Sequence, residues 1–324
     1  MRPLVSVLIP CYNADRWLAR TLKSVLAQSW NKLEIIVVDD GSTDNSLTIA
    51  RSFASSSVAV LSQVNQGASA ARNRALQVAQ GDFIQYLDAD DLLSSNKIEA
   101  QLFLLQHHPE NMLALCNTIH FWDETDPEVG TLETGGHFFA NSDRPVEWLI
   151  QLLGGDGAGA MVHPAAWLIS RAVAAGAGPW NEQLSLDDDG EYFARVVLAS
   201  AGIRYTPIGC SYYRKYKGGN SLSGGRSDRH QWSALQSIAL KADYLLSRTQ
   251  DQRAKRAIAR CYMERAVQAY PGHPHVTQTA LREIRQLGVK ADLPTCGSWR
   301  GELLRFLLGW KLAKRLSMAY HHSF

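Results

Sequence analysis

Phe83-Ile84-Gln85-Tyr86-Leu87-Asp88-Ala89-Asp90-Asp91 is an apolar run of strand composition that ends in three carboxylates. A buried charge is costly unless it is paired or holds a metal, so acids gathered at a strand end mark a cation site or a catalytic rim. The Asp88-x-Asp90 spacing favours the cation. Residues two apart on an extended chain point the same way, and both carboxylates can then face one divalent ion or its water shell.

Outward from this stretch, short β-branched runs alternate with helical patterns from residue 4 to about 120, which predicts strand-helix-strand units and a mainly parallel sheet. Strands are expected at Val5–Ile9, Glu34–Val38, Val58–Leu61, Phe83–Leu87 and Met112–Cys116. Between them, Trp17, Leu18, Leu22, Val25 and Leu26 recur at helical spacing, as do Ala68, Ala71, Ala75 and Ala79. Gly81 reads as a turn or a helix C-cap.

From about 121 to 160 the pattern is less regular. Asp123 to Glu128 is acidic, and Gly154-Gly155-Asp156-Gly157-Ala158-Gly159 lacks the Gly-Lys-Ser/Thr ending of a P-loop, so it reads as a mobile acceptor-side loop. Alternation resumes at Ala166–Ile169, Ile203–Ile208 and Ser211–Tyr216, strands that would finish the same sheet. Beyond about 230 helical spacing takes over, through Leu235, Ile238, Leu245, Leu246, Ile258, Met263, Val267, Leu281, Ile284 and Leu287, broken at Pro271-Gly272-His273-Pro274.

At 324 residues, 46% hydrophobic and 20% charged, the chain can bury a large core. A formal charge of +2 is too near balance to imply nucleic-acid binding. The five cysteines, Cys11, Cys116, Cys210, Cys261 and Cys296, include no C-x-x-C pair and read as reduced thiols. With no secretory signal and no apolar run of about 18 residues, the expected location is the cytoplasm.

Three clusters stand at predicted strand ends: Pro10-Cys11-Tyr12-Asn13, Asp39-Asp40-Gly41-Ser42-Thr43-Asp44, and Asp88-Ala89-Asp90-Asp91. In a parallel sheet these ends converge where ligands bind. Each alone could be a turn or a helix cap; together they point to one site. A nucleotide-dependent dehydrogenase would instead need G-x-G-x-x-G after the first strand.

With Asn65-Gln66-Gly67-Ala68-Ser69-Ala70-Ala71-Arg72-Asn73, these runs resemble the family 2 glycosyltransferases of GT-A fold in order and spacing. The resemblance covers roughly the first hundred residues and returns at about 180 to 222. It implies a doubly wound α/β fold of GT-A type, with a mainly parallel, Rossmann-like sheet. A catalytic domain would span 1–230, its nucleotide-sugar half about 1–120 and its acceptor half about 121–230, followed by a helical C-terminal appendage, 231–324. The implied reaction is inverting transfer from a nucleoside-diphosphate sugar to an acceptor hydroxyl, in cell-surface polysaccharide or glycoconjugate synthesis. The alternative is a nucleotide-sugar-binding protein that has lost turnover.

The resemblance also assigns residues. Asp40, or Asp39, would hold the base, with Pro10 and Tyr12 nearby. Asp88 would lie near the ribose and the diphosphate, and Asp90 would be the more direct ligand of Mg²⁺ or Mn²⁺. Arg72 would help hold the nucleotide. Counting back from Arg195 places the family's acidic pair on Asp188 and Asp189, with Asp189 the general base. Three adjacent aspartates, Asp187 to Asp189, would also repel one another and raise a pKa, while suiting a helix N-terminus. Arg214 and Lys217 belong to a basic loop ending in Asn220-Ser221, which could close over the diphosphate. Arg74 stands where the family usually has glycine.

Arg229-His230-Gln231-Trp232 does not match the Gln-x-x-Arg-Trp signature of processive synthases, so a single or short transfer is expected. Leu304, Leu308, Leu312, Leu316 and Tyr320 form one stripe across 303–320, among Arg305, Lys311, Lys314 and Arg315. Such a helix can pack on the core or lie on an anionic membrane. Peripheral contact with the inner membrane face would suit a lipid-linked acceptor; a sugar or protein acceptor is also compatible. His107-His108 and His321-His322 show no partner set for zinc.

Overall fold

The computed structural model describes residues 2–321 apart from 107, 109–110, 134–135, 137, 217–224, 226 and 295–298. Lys217, Asn220, Ser221, His107, Cys296 and His322 therefore lie outside the described residues, as do the side chains of Tyr320 and His321. Among those described, nine strands form one sheet: β1 (Val5–Cys11), β2 (Leu33–Asp39), β3 (Val58–Ser62), β4 (Phe83–Tyr86), β5 (Leu92–Leu93), β6 (Met112–Trp122), β7 (Thr131–Leu132), β8 (Trp167–Ser170) and β9 (Gly202–Lys215). The helices are α1 (Leu18–Leu26), α2 (Ser46–Ser52), α3 (Ala68–Val78), α4 (Lys97–Leu105), α5 (Pro145–Leu152), α6 (Arg171–Ala177), α7 (Asp188–Ala199), α8 (Asp228–Leu246), α9 (Gln252–Ala269), α10 (Pro274–Leu287) and α11 (Trp299–His321).

The strand order is β3-β2-β1-β4-β8-β6-β9-β5, with β7 paired to β6. β3, β2, β1 and β4 are parallel, and registers such as Cys11↔Asp39 and Asp39↔Ser62 bring their carboxyl ends level. The connections leave β1 in opposite directions, to β2 on one side and β4 on the other, which opens a crevice above its end. β8 runs antiparallel to both β4 and β6, while β6 and β9 are parallel.

Period-2 alternation builds the two layers. Val5, Val7 and Ile9 of β1 bury against Leu18, Leu22 and Val25 of α1 and Ile98 of α4, whereas Leu8 faces the opposite core with Ala71 and Ala75 of α3. That second core continues through Trp167, Tyr192 and Phe193 to Leu235, Ile238, Ile258 and Ile284. Helices α8 to α10 form the expected C-terminal helical region and pack onto the sheet's own core. β6, Met112–Trp122, lies where the two halves were expected to meet.

Two local expectations change. The runs predicted at Ile203–Ile208 and Ser211–Tyr216 are one strand, β9, carrying a bulge opposite Cys116/Asn117. Gly209 sits in it at φ 76°, and a Cβ there would meet Lys97 Cα at 2.7 Å. Gly81 is no cap: an added Cβ would stand 2.5 Å from Ser6 N and 2.9 Å from Phe83 O, so close strand approach demands glycine.

The Gly154 to Gly159 tract closes α5 and is pinned to α9, where Asp156 pairs with Arg253 at 3.2 Å. Gly154 is buried while residues 156–158 are exposed. α11 is broken at Gly309 (φ 73°), so the leucine stripe is not one continuous face.

Candidate active site

The turn after β1 is laced to the turn after β2. Asn13 N donates to Ser42 Oγ at 3.0 Å, Thr43 N to Asn13 Oδ1 at 2.8 Å, and Ala14 N to Ser46 Oγ at 2.8 Å. Tyr12 projects from this frame and is exposed, while Pro10 lies buried in β1. Asp39 and Asp40 are both buried but differ in what they hold. Asp40 accepts from Gln63 Nε2 (2.8 Å), Gln66 N (2.9 Å) and Gly67 N (2.8 Å), so both its oxygens position the loop that starts α3. Asp39 Oδ1 is buried without a partner. A buried acceptor left open in this way is costly unless something supplies an N–H.

The Asp88 to Asp91 segment departs from the extended geometry expected of it. β4 ends at Tyr86, and Asp91 N donates to Asp88 O at 3.1 Å, so the acids occupy a tight turn. They nevertheless act on one another. Burial, then the charge of Asp88, pushes Asp90 up to about 6. Asp91 is raised well above the usual carboxylate range by burial and then by Asp90. Asp91 Oδ1 accepts Arg214 N at 2.9 Å, so this residue anchors β9 and does not cap a helix.

Arg214 is buried and braces the same turn. Its Nε donates to Asp90 O at 2.7 Å, its Nη1 to Asp123 Oδ1 at 2.9 Å, and its guanidinium lies 4.6 Å from the Phe121 ring centre. Its Nη2 is buried with no hydrogen-bond partner. An unpartnered guanidinium donor beside two carboxylate ends is suited to an anionic oxygen such as a phosphate.

Arg72 joins the third and fourth acidic groups. It is buried, with Nη2 at 2.8 Å from Asp88 Oδ1 and Nη1 at 3.0 Å from Asp188 Oδ2, and Ser69 Oγ also donates to Asp188 Oδ2 at 2.8 Å. The guanidinium lies 4.4 Å from the Trp180 ring centre. Trp180 is stacked on Tyr192 at 4.1 Å and meets Tyr86 edge-on at 5.1 Å, contacts worth about 0.5–1.5 kcal/mol each beyond area burial. Burial disfavours the Arg72 charge, but Asp88 and Asp188 more than offset that and hold its pKa above the ordinary guanidinium value. Nη1 and Nη2 are thus engaged by this chain's carboxylates and Arg72 positions both acids, while its Nε is buried without a partner.

The acidic run 187–189 divides its work. Asp187, at φ 61°, bonds Lys241 Nζ at 2.6 Å and Ser237 Oγ at 2.7 Å, tying the start of α7 to α8. Asp188 belongs to Arg72. Among the described residues Asp189 accepts from the neighbouring Gly190 N alone, at 2.8 Å. Burial, then Asp188, then Asp187, raises its pKa to about 7. A carboxylate set near neutrality at a crevice is suited to proton transfer. Arg195, the landmark used for counting, pairs with Glu191 at 2.8 Å one turn along α7.

The Asp88 and Asp90 carboxylates offer hard oxygen donors, and the resistance of Asp90 to ionising is what a neighbouring divalent cation would relieve; both observations fit Mg²⁺ or Mn²⁺. Ser69, Asp123 and Trp180 were missed as supports of the site. Ser69 had a signal, since it lies three residues before Arg72 on one face of α3. Asp123 sat in a run noticed only as acidic, and nothing local marks Trp180.

A family model for glycosyl transferase family 2 matches residues 6–173. An uncharacterised glycosyltransferase of Haemophilus influenzae is 44% identical over 110 residues, 33% of this chain and 44% of that protein. The Escherichia coli UDP-Glc:alpha-D-GlcNAc-diphosphoundecaprenol beta-1,3-glucosyltransferase WfaP is 28% identical over 250 residues, 74% of this chain and 89% of that protein. Staphylococcus aureus TarS 1–349, solved in complex with UDP-GlcNAc, superposes with a TM-score of 0.67 at 18% identity, covering 88% of this chain and 81% of that one, and so shows the fold. The chain spans under half the length of several of the curated relatives it matches. A strand-end crevice that gathers the family's acidic motifs and a family match across more than half of the chain lead to one conclusion: this chain belongs to glycosyl transferase family 2.

Proposed function

We propose that this chain transfers a glycosyl group from a UDP-sugar to a hydroxyl of a lipid-linked diphospho-sugar acceptor, with inversion at the anomeric carbon. One observation carries the reading: Arg72 bridges Asp88 and Asp188, so the diphosphate end and the proton-accepting end of the crevice are held by one guanidinium. The acceptor oxygen attacks the anomeric carbon, the bond from that carbon to the diphosphate oxygen breaks, and the acceptor proton passes to Asp189. Asp39 Oδ1 offers the open acceptor that suits a base N–H, a role the sequence had favoured for Asp40. Pro10 and Tyr12 flank that edge, and Arg214 Nη2 reaches a phosphate oxygen. Asp88 and Asp90 would hold Mg²⁺ or Mn²⁺, which supplies charge stabilisation for the departing diphosphate.

The donor nucleotide and the acceptor class follow what WfaP is named for. No helix of the described residues is long and apolar enough to cross a membrane. α11 instead leaves Trp299, Phe306, Leu307 and Leu308 exposed near Arg300 and Lys311, which supports contact with an anionic inner membrane face.

The test is transfer from a panel of UDP- and GDP-sugars to a synthetic GlcNAc-diphospho-lipid. The reading expects a UDP-sugar to be consumed with product of inverted anomeric configuration, and Asp189→Asn to abolish transfer while nucleotide still binds. Retained configuration, or an active Asp189→Asn, overturns it.

A further inference from the structure

His120 near the end of β6, Glu133 just past β7 and His163 ahead of β8 come together outside the aspartate set. One ligand atom of each lies within 4.8 Å of the others. His120 Nε2 and Glu133 Oε2 are 3.5 Å apart, where two ligands of one tetrahedral ion bound at about 2.1 Å would stand about 3.4 Å apart. The His120 and His163 ring centres are 5.3 Å apart at 71°. Two imidazoles on one tetrahedral ion, each ring centre about 3.2 Å from it, would stand about 5.2 Å apart.

The frame around these groups is firm. Tyr213 of β9 stacks on His163 at 4.0 Å and meets His120 edge-on at 5.4 Å. Pairing of His120 with Thr131, and a bond from Glu133 N to Thr118 O at 2.9 Å, hold Glu133 alongside β6. His120 Nδ1 and Glu133 Oε2 are both buried with no hydrogen-bond partner. Side-chain exposures of 18% for His120 and 24% for Glu133 leave a way in for an ion.

We propose that His120, Glu133 and His163 form a second metal site, for a zinc-class divalent ion, distinct from the Asp88–Asp90 pair. Imidazole nitrogens select borderline first-row ions such as Zn²⁺ or Co²⁺, whereas an all-carboxylate set suits Mg²⁺ or Mn²⁺. Two histidines and a glutamate are a known donor set for zinc that keeps its fourth position open. The bound ion ties the segments carrying residues 133 and 163 to the end of β6, stiffening one wall beside the crevice.

The experiment uses the full chain, stripped with chelator, kept in excess Mg²⁺ and titrated with Co²⁺ while visible d–d absorption is recorded. One equivalent of Co²⁺ should bind with the intense bands of a four-coordinate ion, and Zn²⁺ should displace it. Glu133→Gln and His163→Gln should each weaken binding at least tenfold, with folding checked by circular dichroism, and Asp90→Asn should leave the spectrum unchanged. Should His163→Gln unfold, His120→Gln replaces it. Weak six-coordinate bands alone, no stoichiometric Co²⁺, or a spectrum lost in Asp90→Asn but kept in Glu133→Gln would overturn the proposal.

Discussion

Asp189 should give this protein a pH profile that one substitution removes. Its carboxyl is lifted from 3.8 to about 7, first by burial and then by Asp188 and Asp187. If it takes the acceptor proton, transfer under chemistry-limited conditions should rise about tenfold per pH unit below about 7 and level off above. The rate at pH 5.5 would be about thirtyfold under the plateau. Stability moves the other way. A folded-state pKa above the unfolded value means the stability linked to this group is intact below about 3.8 and lost as pH rises through about 7. The full lift corresponds to about 4 kcal/mol, and because the side chain is partly open to water about 2 kcal/mol is the working figure. Urea unfolding of wild type and Asp189→Asn, without divalent ions, should therefore diverge between about pH 4 and 7 and hold the difference above, with the variant about 2 kcal/mol the more stable there. Asp90 and Asp91 titrate in both proteins and cancel in the difference. A rate that is flat from pH 5.5 to 8, or a stability difference that does not grow with pH, would refute the reasoning.

Arg72→Ala leaves Asp88 and Asp188 facing each other unpaired, so unfolding should become easier by about 3–5 kcal/mol in urea titrations, with Arg72→Lys recovering only part because it cannot span both carboxylates. Asp39→Asn should weaken UDP binding in calorimetry at least tenfold at unchanged stability, whereas Asp40→Asn should destabilise the fold by about 1–3 kcal/mol through the lost bonds to residues 63–67. Equal effects of the two substitutions would return base recognition to Asp40. Gly81→Ala should cost at least about 2 kcal/mol in thermal unfolding, since its Cβ would strike Ser6 N and Phe83 O.

The parallel half was legible because its strands are buried on both faces and read as unbroken β-branched runs, each ending in polar turn residues. Residues at strand ends inherited that clarity: Asp39 closes β2 and Asp88 and Asp90 follow β4, whereas Asp188 and Asp189, which open α7, were placed by the family resemblance alone. Partner assignments were not legible. Asp39 and Asp40 are neighbours with the same side chain, and only Gln63, Gln66 and Gly67, more than twenty residues on, decide which of them is left open. Arg72 gave no local sign of bridging residues 16 and 116 positions away. In the second half β9 read as two strands because a bulge interrupts its alternation, whereas the helical spacing of α8 to α10 was legible.

The bond from Arg214 N to Asp91 Oδ1 closes a loop of 123 residues. A chain emerging from the ribosome can fold β1 to β4 early, with Thr21 and Arg72 already holding the acidic turn at Ala89 O, Asp91 O and Asp88 Oδ1, yet the brace from Arg214 comes only once β9 has been synthesised and docked. Contacts of such long sequence separation form late in folding, since loop closure must be met before they stabilise anything. The crevice is thus completed by the last strand of the sheet to be made, and a nascent or truncated chain ending near residue 173 carries the three strand-end clusters without Arg214 or the Asp188–Asp189 pair.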